Sequence, residues 1–256
     1  MVLPALFVAV SLALSPETIK NAFGGVDGAL VLLDASGKTI LRHGGSRPDE
    51  KLPPCSTFKI WNTAIGLELG LVSDPDAPFW KWDGQKYRLD AWNRDQTLRS
   101  AFAVSCVPAF QALARKIGRE RMIEYLHKLS YGNEDISSGL DVFWLPAPGR
   151  RPLVISPSEQ AELIARLVSG KQPFSSHTLA VLKDVMKVKQ TEQGTLYGKT
   201  GTGDDNSEDV QIGWFVGYVE SDGATYPFAC VLKAKGITGK DARAVVERIC
   251  SEAHWL

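Results

Sequence analysis

The hydrophobic pattern changes period twice along this chain, and that change restricts the folds open to it more than any other feature. Near the start, Ala29-Leu30-Val31-Leu32-Leu33 is an unbroken apolar run of strand length, the pattern of a buried strand. Asp34-Ala35-Ser36-Gly37 has turn chemistry, so Lys38 to His43 is expected to return as a hairpin partner. Between residues 97 and 186 the signals turn helical, over Leu98–Val104, Val107–Ile117, Glu120–Leu129, Pro157–Val168 and His177–Val188. The last third reverts to strands at Thr195–Gly201, Gln211–Glu220 and Tyr226–Lys233, and Lys240–Ala253 reads as a closing amphipathic helix. Strands at both ends with helices between them predict an α/β fold. The N- and C-terminal segments would share one antiparallel sheet flanked by helices, with an all-helical domain inserted in the middle. The expected divisions are residues 16–60 with 190–256 for the α/β domain, opened by a short helix at Glu17–Phe23, and 61–189 for the helical domain.

Charge removes some function classes. Lys plus Arg and Asp plus Glu cancel at 29 each, so no basic field exists to hold nucleic acid or an anionic membrane. His43, His127, His177 and His254 are scattered without an H-x-x-x-H pair, which argues against metal catalysis, and no metal is expected. Cys55, Cys106, Cys230 and Cys250 form no C-x-x-C pair and are read as apolar, inert thiols. Residues 1–15 are almost wholly apolar and resemble the core of a secretory signal, with Ala13 and Ser15 as small residues near a cleavage point. No Lys or Arg precedes that run, and Pro16 directly after it would hinder cutting; a buried N-terminal element is the competing reading. The run is short for a membrane span, and no later stretch reaches ~20 apolar residues, so stable membrane insertion is not expected.

The chemistry concentrates in a few short motifs. Ser56 and Lys59 sit three residues apart in Ser56-Thr57-Phe58-Lys59, at the start of a predicted helix running to about Leu71, so their side chains share one face. A serine hydroxyl is a poor nucleophile until a base takes its proton, and Lys59 is placed to be that base. At a helix start the Ser56 N–H is also unused by the helix and can help hold an oxyanion. Alone, the pattern is more often a capping serine with a solvated lysine. Lys199-Thr200-Gly201, at the end of a predicted strand, supplies a cation and a hydroxyl for a substrate carboxylate and a glycine for close backbone approach. Each motif is weak singly; the two in this order are far more specific. Ser105-Cys106-Val107 adds a serine at a helix break, able to pass a proton to a leaving amine. Tyr131-Gly132-Asn133 reads as a tight turn. In Phe143-Trp144-Leu145 the Trp144 indole N–H requires an acceptor within apolar surroundings.

Together these residues resemble the class D β-lactamases, the oxacillinases, within the serine β-lactamase and penicillin-binding transpeptidase fold. The likeness runs from about Val26 onward and includes Tyr197 through Gly201 and Gly213-Trp214-Phe215-Val216-Gly217. Class A enzymes carry Asn as the third residue of the middle motif; Val107 stands there instead. The resemblance implies hydrolysis of β-lactams through an acyl-enzyme on Ser56. It also implies that Lys59 is carbamylated (an N6-carboxylysine) and serves as general base, with carbon dioxide or bicarbonate as the source and no other cofactor. Phe58, Val107, Trp144 and Leu145 would line the carbamate pocket, with Trp144 donating its N–H. Ser105 would relay the proton, and the backbone N–H groups of Ser56 and Thr202 would form the oxyanion hole. Lys199, Thr200 and Gly201 would bind the substrate carboxylate. Arg243 is a further candidate for that carboxylate, against the competing reading of an exposed helix-terminal arginine. Thr202 departs from the aromatic residue many relatives carry after K-T-G. The family implies a periplasmic or secreted protein, monomeric or homodimeric. The rivals are a β-lactam sensor that acylates without turnover and a penicillin-binding transpeptidase or carboxypeptidase.

Overall fold

The computed structural model describes residues 14–204 and 210–256. The signal-like segment lies outside these except for Leu14 and Ser15. Helix α1 (Pro16–Phe23) begins at the Ser15 hydroxyl, which accepts a hydrogen bond from Thr18 N, and stops at Gly24 with φ +59°. Strands β1 (Asp27–Leu33) and β2 (Thr39–His43) follow, joined by a turn in which Asp34 Oδ1 accepts from Ser36 N and Lys38 N.

The helical part comprises α2 (Lys59–Glu68), α3 (Leu98–Ala103), α4 (Val107–Ile117), α5 (Arg119–Leu129), α6 (Pro157–Val168) and α7 (Ser176–Val185). A two-stranded pair, β3 (Pro78–Trp80) with β4 (Gln96–Thr97), interrupts it. The chain then forms β5 (Lys187–Gln190), β6 (Gly194–Asp204), β7 (Gln211–Ser221), β8 (Ala224–Ala234) and the closing helix α8 (Gly239–Glu252). The six-stranded sheet runs β2-β1-β8-β7-β6-β5, with every neighbouring pair antiparallel. As expected, strands from both ends of the chain build one sheet.

Alternation along the strands explains why β1 is apolar throughout. Leu30 and Leu32 join Phe215, Phe228, Cys230 and Leu232 in the layer closed by α1 and α8. Ala29, Val31 and Leu33 belong with Val216, Ala229 and Val231 to the core shared with the helices. Helix α6 lies against β8 and β1, so it covers that second face of the sheet.

Two elements differ from the sequence expectation. Ser56 does not open an α-helix; it lies in a 3-10 turn, Cys55–Phe58, that leads into α2. Pro53 and Pro54 offer no N–H, and Cys55 takes φ +51°, so the chain enters the helix through a tighter turn. Helix α2 also ends before Leu71, because Gly70 (φ +65°) turns the chain and lets Leu71 N close on Gly66 O. The helix expected over His177–Val188 stops at Val185, and Lys187–Gln190 becomes the edge strand β5. Lysines at 187 and 189 suit an exposed edge.

Candidate active site

Lys59 is fully buried, and its Nζ lies 2.7 Å from Ser56 Oγ. Ser56 itself is only 9% exposed. Burial holds the Lys59 amine far below its ordinary range, the neighbouring charge of Lys199 adds to that, and the ring of Phe110 lies 5.4 Å from Nζ. The lysine that would remove the serine's proton is therefore a buried amine biased toward its neutral form and not a solvated side chain, which disposes of the simple capping explanation.

Three connections aim this turn. Trp214 Nε1, from β7, donates to Pro53 O at 2.9 Å. Thr57 Oγ1 donates to Pro54 O at 2.7 Å. Leu52 pairs with Ile155 through reciprocal bonds of 3.0 and 2.9 Å. The Tyr131-Gly132-Asn133 turn supports the last of these, since Asn133 takes both backbone groups of Val154 (3.1 and 3.0 Å) and Leu153 N bonds Phe143 O at 2.8 Å. Gly132 is obligatory there: it has φ +55°, and a Cβ would lie 1.9 Å from Val154 O.

That brace carries Phe143 and Trp144 onto the nucleophile turn. Phe58 stacks on Trp144 (5.8 Å between ring centres, 24° apart), and Phe143 meets both edge-on. Trp144 is completely buried, yet among the described residues its Nε1 has no hydrogen-bond partner. A buried N–H left unpaired costs roughly 1–3 kcal/mol. Leu145 is half-buried against the same core, and Val107 is half-buried at the first residue of α4. Arg115 on α4 pairs with Asp141, tying the two sides together.

Ser105 adopts φ +56°, and its buried Oγ has no partner among the described residues. Lys199 is buried too; burial pushes its amine down to about 7, and its Nζ reaches Thr200 O at 3.1 Å. The ring of Phe102 lies 5.5 Å from that Nζ. Beyond Tyr197 strand β6 runs past its pairing with β5, and its glycines admit the nucleophile turn. A Cβ on Gly201 would lie 3.0 Å from Pro54 O, and one on Gly203 would lie 2.6 Å from Cys55 Sγ and 2.7 Å from Pro146 Cγ. Gly203→Val is accordingly expected to overpack the site, costing about 1–3 kcal/mol. Thermal melting would show this as a Tm lower by roughly 2–10 °C.

Thr200 Oγ1 lies 3.5 Å from Lys199 Nζ, and Thr202 Oγ1 accepts from Gly239 N at 2.9 Å and so anchors β6 to the start of α8. Arg243 lines a cavity of about 220 Å³ together with Lys199, Thr200, Phe102 and Met186, while its Nε bonds Glu247 at 2.7 Å. The structure thus brings Arg243 beside the K-T-G strand but gives it a carboxylate partner of its own. Phe102 and Phe110 were not singled out from the sequence, and Trp214 was named there only within Gly213–Gly217, with no role of its own. The two phenylalanines flank Ser105 at helical spacing, a signal indistinguishable from core packing. All four cysteines are buried and free, and burial raises the thiols of Cys55 and Cys106, consistent with inert packing rather than nucleophiles.

A serine and a buried lysine at the start of a helix, faced by a K-T-G strand on an antiparallel sheet, define an active-site-serine protein of the penicillin-binding type. Residues 28–251 match the family model of the penicillin binding protein transpeptidase domain. The chain is 38% identical over 230 residues to the probable β-lactamase YbxI of Bacillus subtilis (strain 168), spanning 90% of this chain and 83% of that protein. A solved class D β-lactamase from Bacillus subtilis superposes with a TM-score of 0.84 at 36% identity, over 93% of this chain and 96% of the other. The C-terminal domain of the Bacillus licheniformis BlaR penicillin-receptor superposes with a TM-score of 0.85 at 28% identity, over 93% and 95%. The chain belongs to the class D β-lactamases.

Proposed function

We propose that this protein hydrolyses the cyclic amide of β-lactams through an acyl-enzyme on Ser56, with Lys59 acting as a carbamate. The observation that carries this reading is the 2.7 Å contact between Ser56 Oγ and the buried Lys59 Nζ, next in sequence to Phe58, which stacks on Trp144, whose buried N–H has no acceptor among the described residues. A neutral amine is the form that reacts with carbon dioxide, and Trp144 is the donor free to hold the product. Once formed, the carbamate supplies an anionic oxygen able to accept a proton where the bare amine has little room to do so. Ser56 Oγ attacks the lactam carbonyl, and backbone N–H groups of Ser56 and Thr202 receive the developing oxyanion. Ser105, whose hydroxyl has no partner among the described residues, relays a proton to the lactam nitrogen, giving up its own and regaining the one that the Lys59 carbamate took from Ser56. Lys199 and Thr200 bind the carboxylate of the substrate, with Arg243 near enough to assist. The protonated Lys199 binds that anion, so affinity for it should weaken as pH rises through about 7 in the free enzyme.

Export is the location this reading implies. Among the described residues no helix is long and apolar enough to cross a membrane. Ser15 caps α1, so a cut after Ser15 would remove the cap; cleavage after Ala13 preserves it.

The likeness to the BlaR domain keeps a second reading open, a receptor that acylates and stays acylated. A chromogenic cephalosporin assay on the purified chain, with and without bicarbonate, separates the two. Hydrolysis is expected to continue for many turnovers and to accelerate with bicarbonate. One equivalent of colour followed by arrest identifies the receptor, and no acylation at all rejects both.

A further inference from the structure

We infer that Trp92 is a positioning residue for Ser105, holding it through the peptide bond that precedes it; this rests on the proposed role of Ser105 in acylation. Trp92 Nε1 donates to Val104 O at 3.0 Å. Val104 caps the C-terminus of α3, where carbonyls lack helical partners and an external donor has most to satisfy. The next residue, Ser105, occupies the left-handed region (φ +56°) that glycine ordinarily fills at a helix end. Ser105 N bonds Phe102 O at 3.2 Å and Cys106 N bonds Ala101 O at 2.8 Å, which fixes the turn on the helix side. Among the described residues the Ser105 hydroxyl has no partner, so no side-chain bond among them fixes where it points. Its direction is inherited from the backbone, and the Val104–Ser105 peptide is the part Trp92 grips.

The loop that presents Trp92 is braced independently of Ser105. Trp92 N bonds Leu89 O at 2.9 Å, and Asn93 takes both backbone groups of Tyr87 at 2.7 and 3.2 Å. Gln96, 2% exposed, donates to Ala91 O at 2.8 Å and accepts from Ser100 Oγ at 2.7 Å. The same loop therefore clasps α3 near both ends, through Gln96 to Ser100 and through Trp92 to Val104. A six-residue helix held at two points is a rigid mount for the residue that follows it.

Trp92→Phe retains the ring and deletes the N–H. Stopped-flow acylation of the full-length chain by a chromogenic cephalosporin, at excess enzyme and saturating bicarbonate, should slow by about tenfold. Deacylation and the half-saturating bicarbonate concentration should stay within about twofold, because Ser105 acts before the acyl-enzyme forms. In a Ser105→Ala background the Trp92→Phe change should add nothing, since its effect passes through Ser105. Equal losses in both steps, or full additivity with Ser105→Ala, overturn the inference. A measurement that needs no turnover decides it separately. In 15N-labelled protein, Trp92→Phe should shift the Ser105 and Cys106 amides, and the wild-type Trp92 indole N–H should exchange slowly with solvent. Unmoved amides or a freely exchanging indole reject the positioning role even if the wild type never acylates, an outcome that would count against the proposed function instead.

Discussion

Lys59→Ala is expected to lower β-lactam turnover by ~10²–10⁴-fold, the range a positioned general base contributes. Whatever acyl-enzyme does form should persist, because water attacking the ester needs the same proton acceptor as Ser56 did. The fold should not suffer in proportion. Burial lowers the Lys59 amine well below its ordinary range, so over the interval between its folded and unfolded values the unfolded chain binds a proton there that the folded chain does not. Stability then rises with pH over the interval between the folded value and the ordinary lysine value near 10.4, and is reduced below it. Alanine removes that penalty. Thermal melting at neutral pH should accordingly show Lys59→Ala nearly as stable as the wild type or more so, with the difference moving in favour of the wild type as pH rises toward 10. A variant that loses activity and also unfolds near neutral pH would mean Lys59 is a structural residue.

Trp144→Phe is the second change with a large expected effect. It keeps an aromatic ring beside Phe58 and Phe143 but removes the buried donor that now has no partner. A hydrogen bond to a charged acceptor contributes ~1.5–3 kcal/mol, which corresponds to roughly 10–100-fold in the bicarbonate needed for half-maximal activity. Saturating bicarbonate should restore much of the rate. Trp144→Ala should show the same dependence with an added loss of stability, about 3–5 kcal/mol for a buried Trp truncation. Bicarbonate curves that coincide with the wild type would show that the Trp144 N–H holds nothing in catalysis.

Much of this was legible in the sequence because periodicity and motif spacing are local. The apolar run at 29–33 and the return to strands after 194 gave the shared sheet, and the i, i+3 spacing of Ser56 and Lys59 brought them into contact. The backbone refinements were less visible. Pro53-Pro54 and the φ of Cys55 convert the expected helix start into a 3-10 turn, a consequence of packing against β6 rather than of helix propensity. Lys187–Gln190 pairs with β6 only once that strand is in place, so its residues read as helix in isolation. The roles of Trp214 and Trp92 went unread for a common reason: each donates to a backbone carbonyl in a distant segment, and a carbonyl leaves no residue-type signature. Arg243 remained divided between two readings because its neighbours, Lys199 and Thr200 on one side and Glu247 on the other, come from different parts of the chain.

The central claim is that Lys59 works as a carbamate, and 13C NMR of the protein equilibrated with 13C-bicarbonate tests it most directly. One carbamate resonance is predicted in the wild type, absent from Lys59→Ala, weakened in Trp144→Phe, and declining with hydrolytic rate as pH is lowered and the amine is protonated. Full hydrolytic activity in a sample that shows no such resonance, or a resonance that survives Lys59→Ala, would contradict it.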